Sequence, residues 1–556
     1  MADGPYLDGG MRMLRLIRER WADLGGWWPA MAALLVGSCV GCGSAPPPPP
    51  VASGPATEAA SNASGVGLDG GETLAEPAAH GADGGETRVE PAVRGVDEVA
   101  SQGGAASGNG AARNERRDPL AERIESFQAM ANQPAEPAAV RAELDVDDAT
   151  LAAAGIRRVE GRHLILLTDV PADPAIDELP AVFDAAVPLW CEYFEIDPQR
   201  AAEWRVIGHV MRDKSRFQRL GLLPASLPPF LHGYQQGPRL WLYEQETEFY
   251  RRHLFLHEGT HGFMEAFVGG GGPPWYKEGM AELLATHEWQ DGRLRLNVMP
   301  ASRESSPGWG RIKIVQDEFA AGRGMSLDEI MRYGLHAHLR NEPYGWCWAA
   351  CAFLDRHPRT SAKFRALRER ASDVSIDFTL GFQRELADDW PLLNHEWQWF
   401  VANLDYGHDV AREANVSAGE SEAVAEAGQG SAVAIAADRG WQATGIRCEA
   451  GQTIEIGARG RFQLDDQPAV WWSEPNGVTL RYHRGLPIGT LLAAVVDEST
   501  LPAGPSPLLS PLAVGNRRVL QIERAGTLYL RVNDSPASLA NNAGEVQVSV
   551  RQAASD

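Results

Sequence analysis

Residues 256–267 read LHEGTHGFMEAF, and within them stands His257-Glu258-Gly259-Thr260-His261. Two histidines at i and i+4 project from the same face of a helix. That placement lets two imidazoles share one tetrahedral ion. A catalytic zinc takes three protein ligands and keeps one position for water. A glutamate directly after the first histidine is placed to accept that water's proton. The chain has 14 histidines, so a chance match is expected at roughly a few per cent, and the surroundings decide.

The surroundings agree with a helix. From Glu248 to Val268 the pattern is helical, interrupted only by Gly259 and Gly262. GGGGPP (269–274) breaks it, and a second helix is expected from Trp275 to about Glu288. That second segment, PPWYKEGMAELLA, carries Glu278 and Glu282 one helical turn apart. Glu278 is the expected third ligand, and Glu282 the carboxylate that orients a ligating histidine from behind. His253, one turn before His257, reads as an ordinary helix histidine, with a role supporting the site from behind as the alternative. His287-Glu288 and His395-Glu396 lack a histidine at the required position, where Asp291 and Trp399 stand.

Upstream, RHLILLT (162–168), RVIGHVM (205–211) and RLWLYE (239–244) read as strands, and 175–194 as a helix containing Pro180 and Pro188. Residues 345–356 and 361–372 read as later helices. Strands before the motif helix and helices after it make an α+β domain over residues 119–415.

HEGTH followed by WYKEGMAE resembles the gluzincin superfamily of zinc metallopeptidases, in the peptidase MA-like group. The resemblance extends over about residues 160–400 and is greatest to exported bacterial peptidase-like proteins. It includes Gly233-Tyr234 before the motif helix and Tyr344 with Trp346 after it. It implies a zincin-like fold, a zinc ion held by His257, His261 and Glu278, and Glu258 as general base. Tyr344 is the first candidate to stabilise the oxyanion, with His336 and His338 as competitors. The spacing to Glu278 is not that of the aminopeptidase branch, and no G-A-M-E-N-type segment is present, so aminopeptidase specificity is not implied.

The ends of the chain carry other signals. Arg12, Arg15, Arg18 and Arg20 precede the short apolar run 27–36, and VGSC ends at Cys39. That order is a secretory signal over residues 1–42. It resembles a bacterial lipoprotein signal, with Cys39 as the lipid anchor ahead of Cys42. Export to the cell envelope follows. Residues 43–118 are rich in Ala, Gly, Pro and Glu, contain a 14-residue repeat (Gly67 onward, then Gly81 onward) and no aromatics. Such a stretch buries too little apolar surface to order itself and reads as a disordered tether. Of six cysteines, Cys347 and Cys351 share a helix face; they are read as small apolar core residues. A net charge of −23 excludes a basic nucleic-acid-binding stripe.

A second linker, 416–433, precedes an all-β region at 434–552. QTIEIGARGRF, VTLRYHRG, LLAAVVD, RRVLQIE, GTLYLRVND and GEVQVSVRQ alternate between turn residues, as in a β-sandwich. Its NDSPASLANNAG run (533–544) resembles the calcium-dependent galactose-binding lectin of the PA-IL type. The resemblance implies Ca²⁺ held by Asp534, the Ser538 carbonyl, Asn541 and Asn542, oxygen donors that suit this ion. The sugar-contacting loop departs from the lectin's, and His483 lies near it. Two functions follow as expectations. One is a tethered zinc metallopeptidase acting on protein or peptide, with an accessory calcium- and carbohydrate-binding sandwich. The other is a surface carbohydrate-binding lipoprotein whose peptidase-like domain is an inactive scaffold.

Overall fold

Leu164–Thr168 and Val206–Met211 are apolar except for Thr168 and His209, and both strands are buried at every residue. Strands of this kind belong inside a sheet covered on both faces. The computed structural model describes residues 142–334, 340–417, 422–425, 430–500 and 504–553. The signal segment with Cys39 and Cys42, the tether, and His336 and His338 lie outside the described residues.

The first sheet runs in the order β1 (Arg157–Glu160), β2 (Leu164–Thr168), β3 (Val206–Met211), β5 (Arg239–Tyr243), β4 (Gly233–Gln236). The β2–β3 and β3–β5 pairs are parallel, and the two edge pairs are antiparallel. Alternate residues feed two cores. Leu164, Leu166, Val206, Val210, Leu240 and Leu242 face the helices. Ile165, Leu167, Ile207, Met211 and Trp241 face a smaller cluster closed by Phe217, Leu222 and Leu223.

Against the first face lie α1 (Leu179–Phe194) and α2 (Glu248–Phe263). Thr247 caps α2, its side chain accepting from the Tyr250 amide. A π turn, Met264–Val268, continues the helix to Gly269, whose φ of 90° ends it. Then α3 (Pro274–Ala285) packs back on α2, and α5 (Glu342–Arg356) packs on α3. Gly279 makes the α3–α5 approach possible. A β-carbon there would overlap the Cys351 sulfur and sit 2.8 Å from the Cys347 carbonyl oxygen. The two cysteines are therefore packing residues around a glycine, both buried as free thiols.

One expectation is corrected and three elements are added. The second helix ends at Ala285, and His287–Gln290 instead opens a hairpin with Arg293–Leu296. The short edge strand β4 was not anticipated. Neither were α4 (Arg311–Ala320) and α6 (Trp390–Asn403).

The C-terminal region is β-rich. A four-stranded sheet runs 517–521, 453–459, 545–552, 431–436, and a six-stranded sheet includes 476–483, 486–496, 526–532 and 442–448. Their inner faces share one cluster containing Ile454, Ile456, Leu491, Leu528, Leu530, Val546 and Val548. Strand Gly526–Val532 is buried at all seven residues, so its second face is covered too. Leu392 and Trp399 of α6 cover it, joining Trp441, Leu492, Ala494, Val496, Leu508 and Tyr529 in one apolar cluster. Residues on both sides of the expected 416–433 linker thus share a core, and its last residues, from Ser431, already belong to the strand 431–436. Among the described residues, no helix is long and apolar enough to cross a membrane.

Candidate metal centre

His257 and His261 lie on the inner face of α2, both buried, and Glu278 reaches them from α3. The two Nε2 atoms are 3.2 Å apart. Each lies 3.4 Å from the same Glu278 oxygen, Oε2. Three donor atoms thus form a near-equilateral triangle. Ligands held at zinc distances of about 2.0–2.1 Å around a tetrahedral ion stand about 3.3 Å from one another. The residues present therefore fit a zinc-sized ion with its fourth position open. His257 Nδ1 and His261 Nδ1 are both buried without a hydrogen-bond partner.

Burial and neighbouring charges pull in opposite directions on the groups of this triangle. Burial acts on Glu278 to raise it, but His261 and His257 outweigh that and hold it well below the usual carboxylate range. Burial likewise opposes a charge on His257, yet Glu278 and Glu282 push it up to about 10. Burial brings His261 down to about 4.

Glu258 is buried beside the triangle without belonging to it. Its carboxylate sits against the edge strand: a β-carbon on Gly233 would stand 2.5 Å from Glu258 Oε1. Gly233 is what leaves room for this side chain. Burial pushes Glu258 up to about 7, a value suited to taking and returning a proton near neutral pH. Tyr234, next on β4, is pushed up to about 12 by burial and then by the Glu258 charge. Tyr344 begins α5 on the opposite side, its ring 6.0 Å from that of His257. Burial, followed by Glu278, Glu258 and Glu282, holds its hydroxyl well above the ordinary range, so it stays a donor.

Glu282 lies behind His257, with Oε1 3.4 Å from His257 Nδ1. His253 Nε2 is 3.1 Å from Glu282 Oε2, and its Nδ1 is 3.0 Å from the Ala285 carbonyl. His253 is therefore a partner of the site, contrary to its reading as an ordinary helix histidine. Sequence reasoning also missed Arg311, which makes two hydrogen bonds to Glu282, at 2.8 and 3.0 Å. No local pattern marks it, because 29 residues separate it from its partner. His287 stacks on Phe249, and His395 is buried; among the described residues neither joins a metal-sized cluster.

In the C-terminal loop, Asp534 and Asn542 are buried and in contact, Asn542 Nδ2 donating to Asp534 Oδ2 at 3.1 Å. Burial raises Asp534. The Oδ1 atoms of Asn541 and Asn542 are both buried without hydrogen-bond partners. The Ser538 carbonyl accepts from the Asn541 amide at 3.3 Å. Asn542 Oδ1, orphaned on a side chain that touches the buried Asp534 carboxylate, is a donor that suits a hard cation, whereas Asn541 Nδ2 donates to Asp465 Oδ1 at 3.1 Å. The His483 ring reaches α6, its Nε2 3.2 Å from Asn403 Oδ1, while its carbonyl accepts from Asn533 Nδ2 at 3.2 Å.

No protein-family model matches the chain, and no curated protein matches it. Among solved structures it is similar to the EclA N-terminal domain, a PllA-like lectin, at 21% identity. That likeness covers 22% of this chain and 95% of the lectin domain, with a TM-score of 0.18. It is also similar to IMPa from Pseudomonas aeruginosa, solved in complex with an O-glycopeptide, at 12% identity over 79% of this chain. It spans 44% of that chain, with a TM-score of 0.14.

Proposed function

We propose that the chain is a zincin-type zinc metallopeptidase that hydrolyses peptide bonds. The observation carrying this reading is the triangle of His257, His261 and Glu278, with Glu258 beside it and outside it. A zinc ion, when bound, supplies a Lewis acid that makes water more acidic and a carbonyl more electrophilic. The chain's own residues do the rest. Glu258 takes the proton of the attacking water and passes it to the leaving amine nitrogen. The Tyr344 hydroxyl donates to the oxygen on which charge develops. Gly233 leaves the room that the Glu258 carboxylate occupies. Export and a lipid anchor at Cys39 would put this chemistry at the cell envelope. The test is peptide-library hydrolysis by the full chain, with and without a zinc chelator. Activity that disappears with the chelator and returns with zinc is expected. A zinc-loaded chain inactive on every peptide would favour the carbohydrate-binding lipoprotein with a scaffold domain.

The C-terminal sandwich is proposed to bind calcium through Asp534, Asn541, Asn542 and the Ser538 carbonyl, with carbohydrate as its possible ligand class. Calcium that binds only the native state stabilises it by about 2.7 kcal/mol at 100 times its dissociation constant. Millimolar calcium is therefore expected to raise the melting temperature of the full chain by several degrees. Asp534→Ala is expected to abolish that rise. A melting curve unmoved by calcium would make the loop purely structural.

A further inference from the structure

We infer that Arg311 is a positioning residue for the metal centre, acting through Glu282 on His257. This rests on the zinc reading. Arg311 opens α4 directly after Gly310, yet it is buried. Its Nη2 donates to Glu282 Oε1 at 2.8 Å and its Nε to Oε2 at 3.0 Å. Nη1 donates to the Trp309 carbonyl at 3.3 Å. The guanidinium carbon lies 5.9 Å from the centre of the Tyr250 ring and 5.7 Å from that of Tyr344. A planar fork held on three sides fixes the plane of the carboxylate it grips.

The consequence falls on His257. With Glu282 fixed, its Oε1 is held 3.4 Å from His257 Nδ1, an otherwise unpartnered atom, and this approach orients the ring so that Nε2 points to the metal position. Arg311 also settles which site takes the ion. His253, His257 and Glu282 form a second cluster of metal-ligand dimensions among the described residues. Both oxygens of that Glu282 already accept from the guanidinium, whose positive charge repels a cation there. The histidine-rich face of α2 is thereby left with one metal position, at Glu278. Arg311 reaches Tyr344 as well, so one side chain braces both the ligand and the proposed oxyanion donor.

The experiment uses the full chain. Zinc affinity is measured by competition with a chromogenic chelator, and cobalt substitution reads ligand geometry by visible absorption. Arg311→Met is expected to lower zinc affinity about 10–100-fold, the usual effect of losing such a partner, and to shift the cobalt bands. Glu282→Gln is expected to do likewise. The double variant should bind no more weakly than Glu282→Gln alone, because both act on one atom pair. Arg365→Met, which removes the 2.8 Å bond to Asp355, is the control; it should lower the melting temperature and leave affinity unchanged. If Arg311→Met does not fold, Arg311→Lys keeps the charge without the fork and should still weaken zinc binding. Wild-type affinity and spectrum in the folded Arg311 variant, or additive losses in the double variant, overturn the inference. A wild-type chain with no measurable zinc affinity overturns the zinc reading itself.

Discussion

Glu258→Gln is expected to retain the metal and lose peptide hydrolysis by at least about 10²–10⁴-fold in kcat, the contribution of a positioned general base. The substitution keeps the volume and polarity of a side chain packed against Gly233, so the fold has no reason to change. Glutamine cannot take a proton from water, so the reaction loses its acceptor and, later, its donor to the leaving amine. KM should move far less than kcat. Comparable activity in Glu258→Gln would remove Glu258 from the mechanism and point to another base.

The second large effect lies far from the metal. Arg531 is fully buried, its guanidinium 5.1 Å from the Trp399 ring centre and 5.7 Å from that of Trp441. It pairs with Glu413, to which Trp399 Nε1 also donates, and it donates to the Asp534 carbonyl at 3.1 Å. Glu413 and Trp399 precede the 416–433 linker; Arg531 and Trp441 follow it. Arg531→Met strands the Glu413 carboxylate in an apolar interface. Breaking a buried pair by removing one partner costs about 3–5 kcal/mol, to be read by urea unfolding. Arg531→Met with Glu413→Gln should recover part of that loss, since no charge is then left buried. A single variant within about 0.5 kcal/mol of wild type would show that the two regions do not depend on this contact. The same interface ties residues 434–552 to the helices before them. Isolated, that segment would expose Trp441, Leu492 and Tyr529.

The motif helix was legible because i, i+4 spacing is a property of any helix, and Gly/Pro breaks mark where the second carboxylate helix begins. Glu278 and Glu282 followed from the same turn arithmetic. β4 was not legible: GYQQ is short, and none of it is fully buried, so it has no hydrophobic alternation to read. Arg311 was hidden for a different reason. Arginine is ordinarily a surface residue, and only folding brings this one to Glu282. Arg531 sat in GTLYLRVND as the polar member of an alternating strand, the position expected to face water. It is buried because α6 covers that face, and contact with a helix 130 residues away leaves no trace in strand periodicity.

The central claim is that His257, His261 and Glu278 hold one catalytic zinc. Metal analysis of the purified full chain, wild type beside Glu278→Ala and Glu258→Gln, tests it most directly. About one zinc per chain is predicted for wild type and for Glu258→Gln, with most of it lost in Glu278→Ala, as a three-ligand site requires. A wild-type chain without stoichiometric metal after zinc loading, or a Glu278→Ala chain that keeps its full zinc, would contradict it.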